Sequence, residues 1–481
     1  MRTAIARRRW MSRLATAMAI VVSVAVGATG AGATERSSRA ASSESKWDPR
    51  VVEYVRFVER DRKLAFDHPV PVKFLADAAF VKTYQGGEAK ITKRDRIEAE
   101  RAAGQLRALG LIEGPVDLIQ SGRDLGASDI VGFYDDKKET LFVRGTDLSD
   151  VNVRVTLVHE LTHALQDQHF DLGKLGDDVK RSGEDFALTA LIEGDATSVE
   201  HDYLLSLPQA DQDAYFADEP DDTPLASGIP PVLDLFMSAP YIFGPRYLAF
   251  LRDVGGAKRV NHAFAVPPTS EEEIVDPLAA RTAQSAKRVP APVLADDEKR
   301  HGAADDFGAL SLYLVLASRL DPTLALTAAQ GWGGDQYVAF TQRGSGGREC
   351  VRVAFTGDTP ADTTEIADVL AQWAATLPAG AASTSRSGAR VNLTTCDTGG
   401  ATAPSQATLD AAVTLLVDRN DAARGLLSAG AAPELARCTA DSLVGDASLR
   451  ALLEKDEEFS DAERQQFKAA TTDAIRGCVR R

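Results

Sequence analysis

The segment that most constrains what this chain can fold into is residues 155–170, which contain neither proline nor glycine. Leu157, Leu161, Ala164 and Leu165 recur there at helical spacing, so the segment reads as one helix with a buried apolar face. On such a helix His159 and His163 lie one turn apart, and both imidazoles point at a common spot in front of the same face. Glu160 lies beside them. The chain holds 7 histidines, and His159, His163 and His169 all fall in this one helix.

Two neutral imidazoles are the usual nitrogen ligands of zinc, and a nearby carboxylate that does not bind the metal can take a proton from water on it. The string His159-Glu160-Leu161-Thr162-His163 is therefore the His-Glu-x-x-His arrangement of zinc metallopeptidases. An exposed helix face could carry the same residues. Their apolar neighbours argue for burial instead, and buried imidazole and carboxylate groups are costly unless something such as a metal satisfies them. Tetrahedral zinc needs a third protein ligand. Glu193, embedded in the apolar run 186–197, is the best candidate, with a salt bridge or a helix end at Gly194 as structural alternatives. Asp195, Glu200 and His201 are the fallback ligands.

His159-Glu160-Leu161-Thr162-His163 followed by Glu193-Gly194-Asp195-Ala196 resembles the gluzincin class of zinc peptidases, in which a glutamate on the next helix completes the metal site. Longer strings at 159–172, 267–274 (PPTSEEEI) and 331–337 (GWGGDQY) are similar to a group of secreted bacterial proteins of largely uncharacterised activity. The resemblance spans roughly residues 50 to 400 and implies an α+β, zincin-like domain, predominantly helical with a small sheet. It also implies one zinc ion held by His159, His163 and Glu193, with Glu160 as general base. Many gluzincins place an aspartate four residues after the ligand glutamate to orient a histidine. Thr197 stands there in this chain, so Asp195 or Asp167 is the expected substitute. Residues 130–144 read as a hairpin leading into the metal helix. In zincin-like proteins an edge strand borders the cleft and pairs with extended substrate; a purely structural hairpin would look the same in sequence.

The remaining chain sets the context. Residues 1–33 carry Arg2, Arg7, Arg8, Arg9 and Arg13 ahead of an apolar run from Leu14 to Ala28, and end in Ala31-Gly32-Ala33. This is the pattern of a cleaved signal peptide, its apolar run being shorter than the roughly 20 residues of a spanning helix, with an uncleaved anchor as the alternative. Losing its five arginines moves the net charge from −16 to −21. An exported acidic protein with no basic cluster is not expected to bind nucleic acid, nor membrane after signal cleavage. Residues 34–49 read as a flexible tether, 50–400 as the zincin-like metallopeptidase domain, and 405–481 as a small all-α, disulfide-tied module and a candidate protein-binding surface. Within the main domain, Thr92 is expected to cap a charged helix ended by Gly110. Residues 171–185 and the acidic, proline-rich stretch 208–231 are expected to be loops, and 233–254 a core helix. The glycine cluster at 331–334 is expected to form tight turns.

Tyr241, Tyr247, His262 and His301 are each chemically able to donate a hydrogen bond to an oxyanion, but no spacing ties any of them to the metal motif. The four cysteines permit three pairings. Strand-like segments at 350–355 and 390–395 flank a helix at 364–377, which favours Cys350 with Cys396 and leaves Cys438 with Cys478. The expected function is a secreted zinc-dependent hydrolase, in first place a metallopeptidase acting on a peptide or protein. The alternative is a non-catalytic exported binding module with a structural metal site.

Overall fold

The computed structural model describes residues 46–86, 91–127, 131–145, 147–179, 185–217, 229–278, 286–344, 346–453 and 459–480. The expected signal peptide lies outside them. In chain order, α1 (Val52–Arg62) precedes β1 (Val72–Leu75), α2 (Asp77–Gly86), α3 (Lys93–Ala108) and α4 (Leu118–Ala127). The hairpin β2 (Gly132–Asp135) and β3 (Thr140–Arg144) leads into α5 (Val151–Phe170), α6 (Leu172–Val179), α7 (Asp185–Ser206), α8 (Gln209–Ala217), α9 (Pro231–Ala265) and α10 (Glu271–Val275). Then follow β4 (Glu298–Asp305), α11 (Ala309–Ala317), α12 (Pro322–Gln330), β5 (Trp332–Gln342), β6 (Glu349–Gly357), α13 (Pro360–Ala375), β7 (Ala382–Ser387) and β8 (Arg390–Cys396). The chain closes with α14 (Gln406–Ser428), α15 (Pro433–Gly445), α16 (Ala447–Leu453) and α17 (Asp461–Val479). The fold is mixed α+β, with small sheets and a helical C-terminal part.

The first sheet has the order β1-β3-β2, with β1 parallel and β2 antiparallel to β3. The second is antiparallel, in the order β4-β5-β6-β8-β7. Each sheet nucleates a core. Val51, Tyr54, Val58, Leu141 and Val143 pack with Val155, Leu157, Val158 and Leu161 of α5 in the smaller one. The larger one joins the second sheet to α9, α11, α12 and α13 and takes in Leu409, Ala412, Val413 and Leu416 of α14. Helix α7 belongs to both: Ala187, Leu188, Ala190 and Leu191 enter the large core, while Val199, Tyr203 and Leu204 enter the small one. Its polar middle, from Glu193 to Asp195, sits at the seam.

Local chemistry explains most boundaries. Thr92 caps α3 with a reciprocal capping box to Asp95, and Gly110 follows in a left-handed conformation. Ser270, Thr359 and Ser460 accept from the N3 amides of α10, α13 and α17. Where expectation and structure differ, helix replaces loop. Part of 171–185 forms α6, and part of 208–231 forms α8, whose Tyr215 is buried. Residues 180–184 and 218–228 lie outside the described set. The core helix is also longer than expected: α9 runs past Val254 to Ala265, broken inside at Gly256 (φ 62°, ψ −158°).

The glycine-rich 331–337 string does not make tight turns; it opens β5, with a bulge between Trp332 and Gly334. Its Asp335 accepts from the Trp332 indole and from the Phe307 and Gly308 amides, while Glu271 of the 267–274 string accepts from the Leu310 and Ser311 amides. The two strings thus converge on the start of α11, supplying carboxylates where a helix leaves amides unpaired.

Cys350 and Cys396 are directly opposite in the β6–β8 ladder and are bonded. Cys438 and Cys478 tie α15 to α17, a helix with no buried residue of its own. Two disulfides accord with an oxidising, extracytoplasmic location. Among the described residues no helix is long and apolar enough to cross a membrane.

Helices α7 and α9 approach each other backbone to backbone at Gly194 and Gly244. A Cβ on Gly244 would stand 2.8 Å from the Gly194 Cα and overlap the Ala190 carbonyl oxygen. Neither helix can give locally, because both backbones are buried in the core. Gly244→Ala is therefore expected to destabilise the protein by about 3 kcal/mol, the upper end for overpacking. Denaturant unfolding measures this, and a loss below about 0.5 kcal/mol, within the range of ordinary surface substitutions, would mean that the crossing yields freely.

Candidate metal centre

The sequence of α5 is helical by default and buried by composition. Asp150 caps it, accepting from the Asn152 amide, and the residues from Leu157 to Gln166 are buried without interruption. One turn therefore carries His159 and His163 to the same side, facing α7. Helix α7 presents Glu193 to them because Gly194 lets α9 press close behind it.

The result is a buried trio. His159 Nε2 lies 3.0 Å from His163 Nε2, and each is 3.3 Å from Glu193 Oε2. Ligand atoms around a tetrahedral ion with bonds of roughly 2.0–2.1 Å stand roughly 3.3 Å apart. The edges of the trio match that spacing. This is the one group of three metal-capable side chains found among the described residues.

The outer nitrogens decide what the inner ones can do. His159 Nδ1 is 2.8 Å from Glu200 Oε2, an acceptor when ionised, so Nδ1 carries the hydrogen. His163 Nδ1 is 3.0 Å from Gln166 Oε1. That amide is oriented by its own nitrogen, which donates at 3.0 Å to both the Ile192 carbonyl and Asp195 Oδ2. His163 Nδ1 is therefore also the protonated nitrogen. In the neutral form of both rings, the one a metal would need, each Nε2 presents a lone pair toward the other and toward a carboxylate oxygen. Three acceptors converging in a dry space form a group that could hold a cation.

Charge at the site follows the same logic. Burial opposes charge on His159 and His163, but Glu193 and, for His159, Glu200 outweigh it and raise both imidazoles above their usual value. Burial alone would raise Glu193; the two rings overcome it and hold the carboxyl at about 2. Glu160 is raised, chiefly by burial. Its Oε2 accepts at 2.8 Å from the Tyr134 amide on β2, and Gly132 on the same strand leaves room for its side chain.

Several expected roles need correction. Asp167 orients no histidine; it accepts from the Tyr134 hydroxyl at 2.9 Å and from the Leu172 amide. Asp195 reaches His163 only through Gln166, and its Oδ2 also accepts from Arg62 at 2.7 Å. Glu200, a fallback ligand in the sequence reading, is instead the direct partner of His159, and the Tyr215 hydroxyl donates to its other oxygen at 3.3 Å. His201 stands outside the trio.

Of the four oxyanion candidates, Tyr241 reaches the site. Its ring lies 6.5 Å from that of His159, and its hydroxyl bonds Glu193. Burial pushes that hydroxyl well above the ordinary phenolic value. His301 pairs with Thr341 in the second sheet. Gln166 and Glu200 were accessible to helical spacing, three residues from His163 and seven from Glu193. Tyr241 was not, because only the Gly194–Gly244 crossing brings it near.

Residues 297–424 match a family described as a domain of unknown function (DUF8575). That stretch runs from the residue before β4 into α14 and contains none of the trio. No curated protein and no solved structure matches the chain.

A pH dependence follows. With both imidazoles raised, the metal-free site holds protons to a higher pH than free histidine would, and a metal must displace them. Metal affinity is expected to fall as pH drops through the raised values and to level off above them. Chelator competition across a pH series measures this; affinity unchanged from pH 8 down to pH 5 would contradict it.

Proposed function

We propose that the chain is an exported zinc-dependent hydrolase, specifically a metallopeptidase of the gluzincin kind built on a zincin-like core. The observation that carries this reading is the trio itself: His159 Nε2, His163 Nε2 and Glu193 Oε2 at 3.0–3.3 Å, with both Nδ1 hydrogens already engaged. Zinc bound there would supply a Lewis acid and a water of lowered pKa, near roughly 7.

The chain supplies the rest. Glu160, more basic than usual through burial and held by the Tyr134 amide, accepts the proton of the attacking water and returns it to the leaving amine. Tyr241, neutral at physiological pH, keeps a hydroxyl donor beside Glu193. Strand β2 pairs only with β3 among the described residues, and the Tyr134 amide on its outer edge is taken by Glu160, so a peptide adding to that edge would have to displace this bond.

One observation favours the rival reading, a binding module with a structural metal. His159, His163, Glu160 and Glu193 are each no more than 4% exposed. Elemental mass spectrometry of the purified protein, with two variants, separates the readings. The wild type is expected to carry one zinc per chain, and Glu193→Ala to lose most of it. Glu160→Gln is expected to keep the metal and lose hydrolysis of a peptide pool by about 10³-fold or more, the scale of removing a general base and its electrostatic contribution. Another metal, or none after reconstitution, overturns the zinc assignment. A wild type that cleaves nothing, yet loses stability when chelated, supports the structural site.

A further inference from the structure

Arg62 is the last residue of α1 and is almost fully buried, 2% exposed, although arginine is rarely so. Its Nε donates to Asp195 Oδ2 at 2.7 Å, and its two terminal nitrogens both lie 3.2 Å from Asn261 Oδ1 on α9. Arg252 stands further off, 3.6 Å from the other Asp195 oxygen. Asp195 Oδ2 thus has two close donors, Arg62 and the Gln166 amide nitrogen. Gln166 in turn offers its oxygen to His163 Nδ1 at 3.0 Å. The chain of contacts Arg62–Asp195–Gln166–His163 runs from the N-terminal helix to a ligand nitrogen, with every step at 3.0 Å or less.

Each link fixes the next by donor and acceptor type. Arg62 can only donate, so it aims an Asp195 oxygen and keeps that carboxylate in place at the seam. Asp195 can then only accept, so Gln166 must turn its nitrogen that way and its oxygen toward His163. His163 must answer with Nδ1–H, and its Nε2 is left bare. We propose that Arg62 is a positioning residue for the metal site, fixing the tautomer of His163 through Asp195 and Gln166, so that the N-terminal helix is a working part of metal affinity. The proposal rests on the metal-site reading above and adds to it a residue 133 positions from Asp195, its direct partner in the relay.

Without Arg62, Asp195 loses the donor that aims it, and the Gln166 amide is left with one acceptor at the Ile192 carbonyl to choose its orientation. With Asp195 no longer aimed, the amide is held by one fixed bond in place of two, and its oxygen holds the hydrogen of His163 Nδ1 less firmly, which weakens the preference for the tautomer that ligates.

The test uses the full chain with zinc as probe and chelator competition as readout. Arg62→Met is expected to raise the zinc dissociation constant by about 10–100-fold, the scale of second-layer substitutions. Gln166→Leu should do the same, and the double variant should be no worse than either single one, because both cut the same relay. Val58→Ala serves as the structural comparison: it loosens α1 in the small core, should lower Tm, and should leave the zinc constant within about twofold of wild type. Cobalt(II) absorption gives a second readout, with Arg62→Met expected to alter the ligand-field bands and Val58→Ala to preserve them.

Should Arg62→Met fail to melt cooperatively, Arg62→Lys combined with Gln166→Leu replaces it: non-additive losses support the relay and additive losses overturn it. Equal zinc binding by wild type and Arg62→Met, or equal weakening by Val58→Ala, overturns the relay and leaves the metal site intact. A wild type that holds no metal overturns the metal reading, and the relay with it.

Discussion

Everything near the candidate metal centre depends on two helices meeting without side chains between them. Gly194 and Gly244 allow α7 and α9 to touch backbone to backbone, a spacing that any Cβ would widen. This one contact sets the depth of Glu193, one residue before Gly194, and brings Tyr241, one turn before Gly244, against His159. It also buries the far end of α7 in one core and the near end in the other. The polar residues at the seam have no water to turn to, so each must find its partner within the protein or in a bound ion.

That requirement explains the density of polar contacts around the trio. Glu200, Gln166, Asp195, Arg62 and Tyr215 form two arms, one ending on each histidine. Such networks bring little net stability against an apolar filling of the same space, and their worth is geometric. Here they hold two imidazoles in the one tautomer that leaves both inner nitrogens bare. A site built for stability alone would be served by apolar residues; the proposed cation site accounts for this bookkeeping of hydrogens.

How much was legible in advance follows from the range of each interaction. His159, His163 and Glu160 could be read because a single helix fixes their relation, and Glu193 because a carboxylate in an apolar run calls for a partner. The Cys350–Cys396 pairing followed from strand order and is met in the ladder. The placement of Tyr241 and Arg62 was out of reach: each arrives by packing between distant elements, and no periodicity records which buried tyrosine or arginine joins the polar cluster around the trio. Helices α6 and α8 were hidden for a different reason. Their sequences are rich in glycine or aspartate, and tertiary contacts such as Tyr215 on Glu200 and Arg154 on Asp211 override those local preferences.

The position of the ligands along the chain has a consequence for the order of folding. His159, His163, Gln166, Glu193 and Glu200 all come from the neighbouring helices α5 and α7, so closing one modest loop assembles the inner site. Helical pairs of this kind form early, whereas contacts that span long stretches of chain must wait for larger loops to close. Arg62 and Tyr241 belong to that later group. A nascent chain thus brings the trio together before it has the elements that lock it, and an ion, were one captured at that stage, would act as a template on which the two cores condense.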